Sequence, residues 1–434
     1  MIIGVIAQPG WAAETGTDPM PSKEAIDVLW LAMASALVFF MQAGFALLES
    51  GMSRAKNCVN VVMKNFSDVC VGSLFFWLLG FGLMFGNNPS GWYGTSGFML
   101  DNASTWDYSF LLFQTMFAAT AATIASGAMA ERARYSSYLV GAVVICAVIY
   151  PVFGSWAWGS FYEGEGWLAA LGFIDFAGSS VVHSVGGWVA LAAIIVLGPR
   201  LGRFDPVTKK ARPLPGHNLN FVVLGGFILW FGWFGFNGGS TLAAQENIGL
   251  INLNTQLAAS AGALGSMLLM VALRKDISVG GIVNGALSGL VGITAGCATM
   301  EPVFAIVTGA LCAMFAFMVG VILLSNGLDD VVGAVSVHGA AGAAGTICAG
   351  CFVNGDLFNM ATITVQLLGV FACFVWSFGS GLVLFKLIDL VLGLRAGTLH
   401  EQRGLDYTEH DEIAYPEFVQ HSFYTRDNLS NLDK

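Results

Sequence analysis

Long, predominantly apolar blocks alternate along this chain with short polar stretches. A bilayer core takes about 20 mostly apolar residues per helix. Eleven blocks reach that length: 27–50, 61–85, 109–130, 136–157, 178–198, 217–237, 252–273, 279–297, 301–324, 331–350 and 361–390. The pattern predicts an all-α membrane protein of eleven transmembrane helices. Lys and Arg collect in cytoplasmic loops, and 17 of the 18 fall in the loops after spans 1, 3, 5 and 7 or at and beyond the end of span 11. In this count Arg54, Lys56 and Lys64 belong to the loop after span 1, and Lys386 to the end of span 11. Only Lys23 lies on the other side, so the N-terminus is expected outside and the C-terminus inside.

The polar segment 199–216, PRLGRFDPVTKKARPLPG, divides the spans into two groups of five with an extra eleventh. The expected organisation is an extracytoplasmic segment 1–26, a membrane domain 27–390 with repeats near 27–198 and 217–350, and an acidic cytoplasmic tail 391–434. The opening MIIGVIAQPGWAAETG has neither a basic start nor a long apolar core, so it does not read as an intact signal peptide.

A short repeat supports the division. DFAGSSVVH, 175–183, enters span 5, and DVVGAVSVH, 330–338, enters span 10. Asp, Gly, Val and His recur at matching positions, each time at the start of the last helix of a half. An odd five-span shift reverses direction, as in inverted-topology repeats. Eight residues of α-helix rise about 12 Å, so His183 and His338 should reach the midplane from opposite faces and meet there. They are the only two of the six histidines placed within the membrane, since His217 stands at the cytoplasmic mouth of span 6 and the other three lie in the tail. Intramembrane ionisable groups face a bundle interior or a pathway, and the alternative is a hydrogen-bonded pair that serves packing. Asp175 and Asp330 sit where a carboxylate caps free amides and meets the positive end of a helix dipole. For Asp175 a second role is open, that of biasing an outer entrance toward cations.

Composition narrows the class. Hydrophobic residues make up 56% of the chain and charged residues 11%, against about a quarter charged in soluble domains, which excludes an ordinary soluble enzyme. The net charge of −10 sits mostly in loops and tail and argues against nucleic acid as a partner. The 8 cysteines are scattered through apolar stretches without paired spacing, so neither disulfides nor a metal site is expected. Two lone histidines could ligate at most one haem, and no cofactor is expected. Gly281, Gly285 and Gly289 form a stripe that permits close helix packing.

Longer motifs then accumulate: FFMQAGFALLESGMSRAKNCVNVVMKNF around span 1, FQTMFAATAATIASGAMAER in span 3, GWFGFNGGS in span 6, DDVVGAVSVHGAAGAAGT at span 10 and GLDYTEHDEIAYPE in the tail. Together, over residues 27–416, the chain resembles the ammonium transporter (Amt/Mep/Rh) family, and most of all bacterial Amt channels. The resemblance implies a homotrimer in the plasma or inner membrane with one pore per subunit, ammonium as substrate, and in many cases a PII-type regulator at the cytoplasmic face. It implies Phe117 and Phe236 as a stacked gate, Ser240 as the vestibule hydroxyl, and Trp158 as the vestibule tryptophan, with Trp156 two residues away as the alternative. His183 and His338 become the pore and proton relay. Ammonium would bind at the outer aromatic vestibule, lose a proton, and cross as ammonia. The competing readings are an ammonium sensor without its output module, for which the 44 residues from 391 are too few, and an Rh-type gas channel.

Overall fold

The computed structural model describes residues 22–100, 103–159 and 162–418. Most of the expected extracytoplasmic segment, 1–21, and the tail beyond 418 lie outside the described residues. Among the described residues the fold is helical, with isolated β-bridges and no strand. Nine helices among the described residues are long and apolar enough to cross a membrane: α1 Lys23–Met52, α2 Ala55–Phe85, α3 Thr105–Ala128, α4 Tyr135–Trp158, α5 Ser179–Leu197, α6 Leu219–Gly239, α7 Ile248–Ala272, α9 Pro302–Ser325 and α11 Met360–Leu392. Two shorter apolar helices, α8 Val279–Ile293 and α10 Val335–Cys351, stand where spans 8 and 10 are expected. Helix starts carry readable signals. Ser104 and Asp107 form a reciprocal capping box at α3, and Asn218, Ser278 and Asn359 each accept amides at α6, α8 and α11.

Two residues of the basic count stand inside helices. Lys64 lies within α2 and is wholly buried, and Lys386 lies within α11. The stripe in α8 packs against α7 so closely that a Cβ on Gly289 would stand 2.2 Å from the Ala258 carbonyl oxygen. The eight cysteines are all free.

The end of the bundle that carries the basic loops is closed by an ionic ring. Arg200 reaches Glu131 at 2.6 Å and Asp329 at 2.8 Å, Arg54 pairs with Glu131, and Arg203 lies 3.2 Å from Asp329. Burial by itself would raise the Asp329 carboxyl, but the hydrogen bonds and charge of Arg200, with the charge of Arg132, hold it down at about 2. Two short tail helices, α12 Thr398–Arg403 and α13 Leu405–His410, dock beside this ring. Glu401 accepts from the Leu201 amide and from Arg395, Asp406 accepts from the Asn60 amide at 2.8 Å, and Glu409 accepts from the Tyr135 amide at 2.6 Å. The acidic start of the tail is therefore held largely by charge-assisted hydrogen bonds, with Tyr415 joined to His217 at 2.9 Å.

Candidate functional site

The repeat acquires a physical reason in the backbone. Gly178 and Gly333 both take left-handed φ, +110° and +86°, a conformation that glycine enters without a Cβ penalty. This turn folds the following amides back onto the aspartates. Asp175 accepts from the amides of Gly178, Ser179, Ser180 and Val181 at 2.8–3.0 Å. Asp330 accepts from Gly333, Ala334 and Val335 at 2.8–3.1 Å. Both helices then open as π-helix, Ser179–Ser184 and Val335–Ala340, and both histidines sit in that wider turn. The α-helical rise used to estimate their depth therefore does not apply. Wide turns of this kind re-aim side chains at functional sites.

The two histidines meet. His183 Nδ1 and His338 Nδ1 are 3.2 Å apart, with ring planes at 28°. Their helices cross so tightly that a Cβ on Gly187 would lie 2.1 Å from the Gly339 nitrogen, and one on Gly342 would lie 2.3 Å from the Ser179 oxygen. Both glycines stand four residues after their histidine, so the repeat in the sequence extends to the crossing itself.

A file of rings leads from this pair to a cavity at the end opposite the basic loops. His183 stacks on Phe236 at 5.3 Å and on Trp233 at 5.1 Å, and Phe236 meets Phe117 at 4.1 Å. All four residues of that file are at most 1% exposed. Phe117 forms the floor of a cavity of about 250 Å³ that is also lined by Trp158, Ser240, Gln114, Phe110 and Leu242. Ser240 donates its hydroxyl proton to the Phe236 carbonyl at 2.8 Å, which leaves its oxygen lone pairs as acceptors. Trp158 is the indole on this cavity. Trp156 instead donates to the Trp92 carbonyl and packs among Trp92, Trp167 and Trp376. Asp175 does not line the cavity. It is 5% exposed, its carboxylate is filled by backbone amides, and its carbonyl accepts from Trp158 Nε1 at 2.7 Å. The role its geometry supports is to hold Trp158 and the start of α5 in place.

Trp233, Gln114 and Phe45 were missed in the sequence. Trp233 and Gln114 each precede a phenylalanine of the file by three residues and so share its helix face. Trp233 is fixed by its Nε1 donating to Thr294 at 2.9 Å. Phe45 lies 6.2 Å from His338 on the side away from the aromatic cavity. There His338 borders a space of about 20 Å³, which shares Asn284, Val332, Gly333 and Val337 with a cavity of about 480 Å³ at the basic end. Among the described residues no group of His, Cys, Asp and Glu could hold a metal ion.

Comparison with known proteins agrees with the motif resemblance. The Ammonium Transporter Family model matches residues 29–415. Ammonium transporter Amt2 of Archaeoglobus fulgidus is 44% identical, covering 96% of either chain. A solved structure named Sensor Amt Protein superposes with a TM-score of 0.86 at 41% identity, over 89% of this chain and 99% of the other. Candida albicans Mep2 superposes with a TM-score of 0.80 at 31% identity, over 92% of each. The chain belongs to the ammonium transporter family and is a multi-pass protein of the plasma or inner membrane.

Proposed function

We propose that the protein takes up ammonium by stripping it of a proton and conducting ammonia through the buried ring file. The observation that carries this reading is the unbroken sequence from the Trp158–Ser240 cavity through Phe117 and Phe236 to His183 and His338. An ammonium ion in the cavity gains about 0.5–2 kcal/mol from each aromatic face and a hydrogen bond to the Ser240 oxygen. Carrying its full charge past two buried phenyl rings would cost several kcal/mol. Loss of one proton removes most of that penalty, and alkali ions have no proton to lose.

The histidine contact suggests how the proton follows. With Nδ1 facing Nδ1, one nitrogen donates and the other accepts, so the two rings hold opposite tautomers. A proton entering at one Nε2 and leaving at the other exchanges the two roles without either ring moving. In this reading the chain has eleven spans in two inverted repeats with an outside N-terminus, a transport domain at 27–390, and a cytoplasmic tail from 391. The aromatic cavity then faces outward and the ionic ring faces the cytoplasm. The family resemblance extends the proposal to a homotrimer and a PII-type regulator.

The likeness to Sensor Amt Protein favours a second reading, in which binding is reported through the tail. Purified protein in liposomes on a supported membrane separates them. An ammonium-evoked current supports proton-coupled transport, binding without flux supports sensing, and pH change without current supports gas conduction.

A further inference from the structure

Three ionisable side chains that the ring file does not use lie buried among α1, α2 and α3. Glu49 is 1% exposed, and Lys64 and Asp68 are fully buried. Glu49 occupies the last turn of α1, where the negative end of the helix dipole opposes a carboxylate, so helix stability gives no reason for it. Glu49 instead borders the space of about 20 Å³ that His338 borders. That volume admits one water molecule, and Asn284 Oδ1, which has no hydrogen-bond partner, belongs to a residue of the same wall.

We propose that Glu49 is the proton acceptor on the inner side of the two histidines. The inference rests on the relay reading above. Charge arithmetic supports it: one lysine and two carboxylates carry an excess negative charge when all are ionised, and one added proton makes the group neutral. A buried cluster favours neutrality. Lys64 Nζ has no hydrogen-bond partner and lies 5.3 Å from the centre of the Tyr138 ring, so it balances the carboxylates through space rather than by binding one of them. Of the two carboxylates, Asp68 is occupied by donors, Tyr138 at 2.6 Å and Thr123 at 3.1 Å, and does not border the space beside His338. Glu49 does, and Asn65 fixes its Oε2 at 2.9 Å.

The step conserves atoms and charge. An N–H bond of the His338 imidazolium breaks and an O–H bond forms on the Glu49 carboxylate. A water between them would accept one proton as it gives up another. Glu49 then releases its proton toward the larger inner cavity and is ready for the next.

The test compares wild type, Glu49→Gln, Glu49→Asp and His338→Ala in liposomes, measuring ammonium-evoked charge and ammonia equilibration on the same preparation. The expected result is a fall of about tenfold or more in charge moved per ammonia for Glu49→Gln, with partial recovery in Glu49→Asp. A purely structural role would lower both readouts together and leave their ratio at the wild-type value. That outcome overturns the proposal while the histidine relay stands if His338→Ala still loses its current. A wild type without current overturns the relay reading, and this proposal with it. Should Glu49→Gln fail to assemble, Glu49→Asp carries the test: a lower ratio than wild type supports the acceptor role, and an unchanged ratio overturns it.

Discussion

At the start of α5 four amides converge on Asp175, and the histidine that follows is sealed beneath Trp233 and Phe236. At the start of α10 three amides converge on Asp330, and the histidine that follows is 6% exposed and borders a space shared with Glu49. The two backbones are near copies: aspartate, left-handed glycine, π-turn, histidine, then a glycine at the crossing. What differs is the company each histidine keeps. One faces a dry aromatic stack, where a charged ion meets its highest cost. The other faces polar side chains and room for water. A repeated backbone thus delivers two equivalent imidazoles, and the helices around them give the pair two unlike sides.

Four experiments bear on that difference. The largest effect is expected from His183→Ala and His338→Ala, each lowering ammonium-evoked current by about 100-fold or more, the range of a positioned proton-transfer group. Equal losses would fit a single relay. Asp or Glu at either position should restore conduction and admit potassium, because a fixed carboxylate stabilises any cation, and flux assays with both ions would detect this.

Phe236→Ala comes next, since it opens the stack on the His183 side alone. Selective flux should change while assembly on size-exclusion chromatography does not. Wild-type flux would remove Phe236 from the gate.

The aspartates offer a finer contrast. An asparagine has one acceptor oxygen, so Asp175→Asn loses two of its four amide bonds, whereas Asp330→Asn can keep two of its three. At about 1.5–3 kcal/mol for a hydrogen bond to a charged group, Asp175→Asn should be the more destabilising in thermal unfolding. It should also weaken ammonium binding, because Trp158 hangs on the same loop.

The smallest effect is expected from deleting residues 404–434, which removes the Asp406 and Glu409 contacts but leaves the pore helices whole. Activity or its cooperativity between subunits should fall modestly. An unchanged rate would make the docked tail a passive cover.

Much of this was legible in the chain itself. Apolar blocks of membrane length, basic residues gathered at alternate ends of the spans, and a repeated Asp, Gly and His are local features that survive folding unchanged. Motif context singled out Phe117, Phe236 and Ser240 among many similar residues. The pattern puts Lys64 inside span 61–85 but could not show that it is wholly buried, because burial depends on what the other helices lay over it. Nor could it choose Trp158 over Trp156, two indoles separated by one alanine, since a helix turns neighbours two apart toward different surroundings.

A helical, membrane-embedded protein with a repeat that carries two histidines follows from the order of residues, because hydrophobic length and residue identity act along the chain. Tertiary structure alone decided that these histidines touch across 155 positions, that Trp233 covers one of them, and that Glu49 stands near the other. Those relations depend on where separate helices cross, and a crossing is set by the mutual fit of surfaces far apart in sequence.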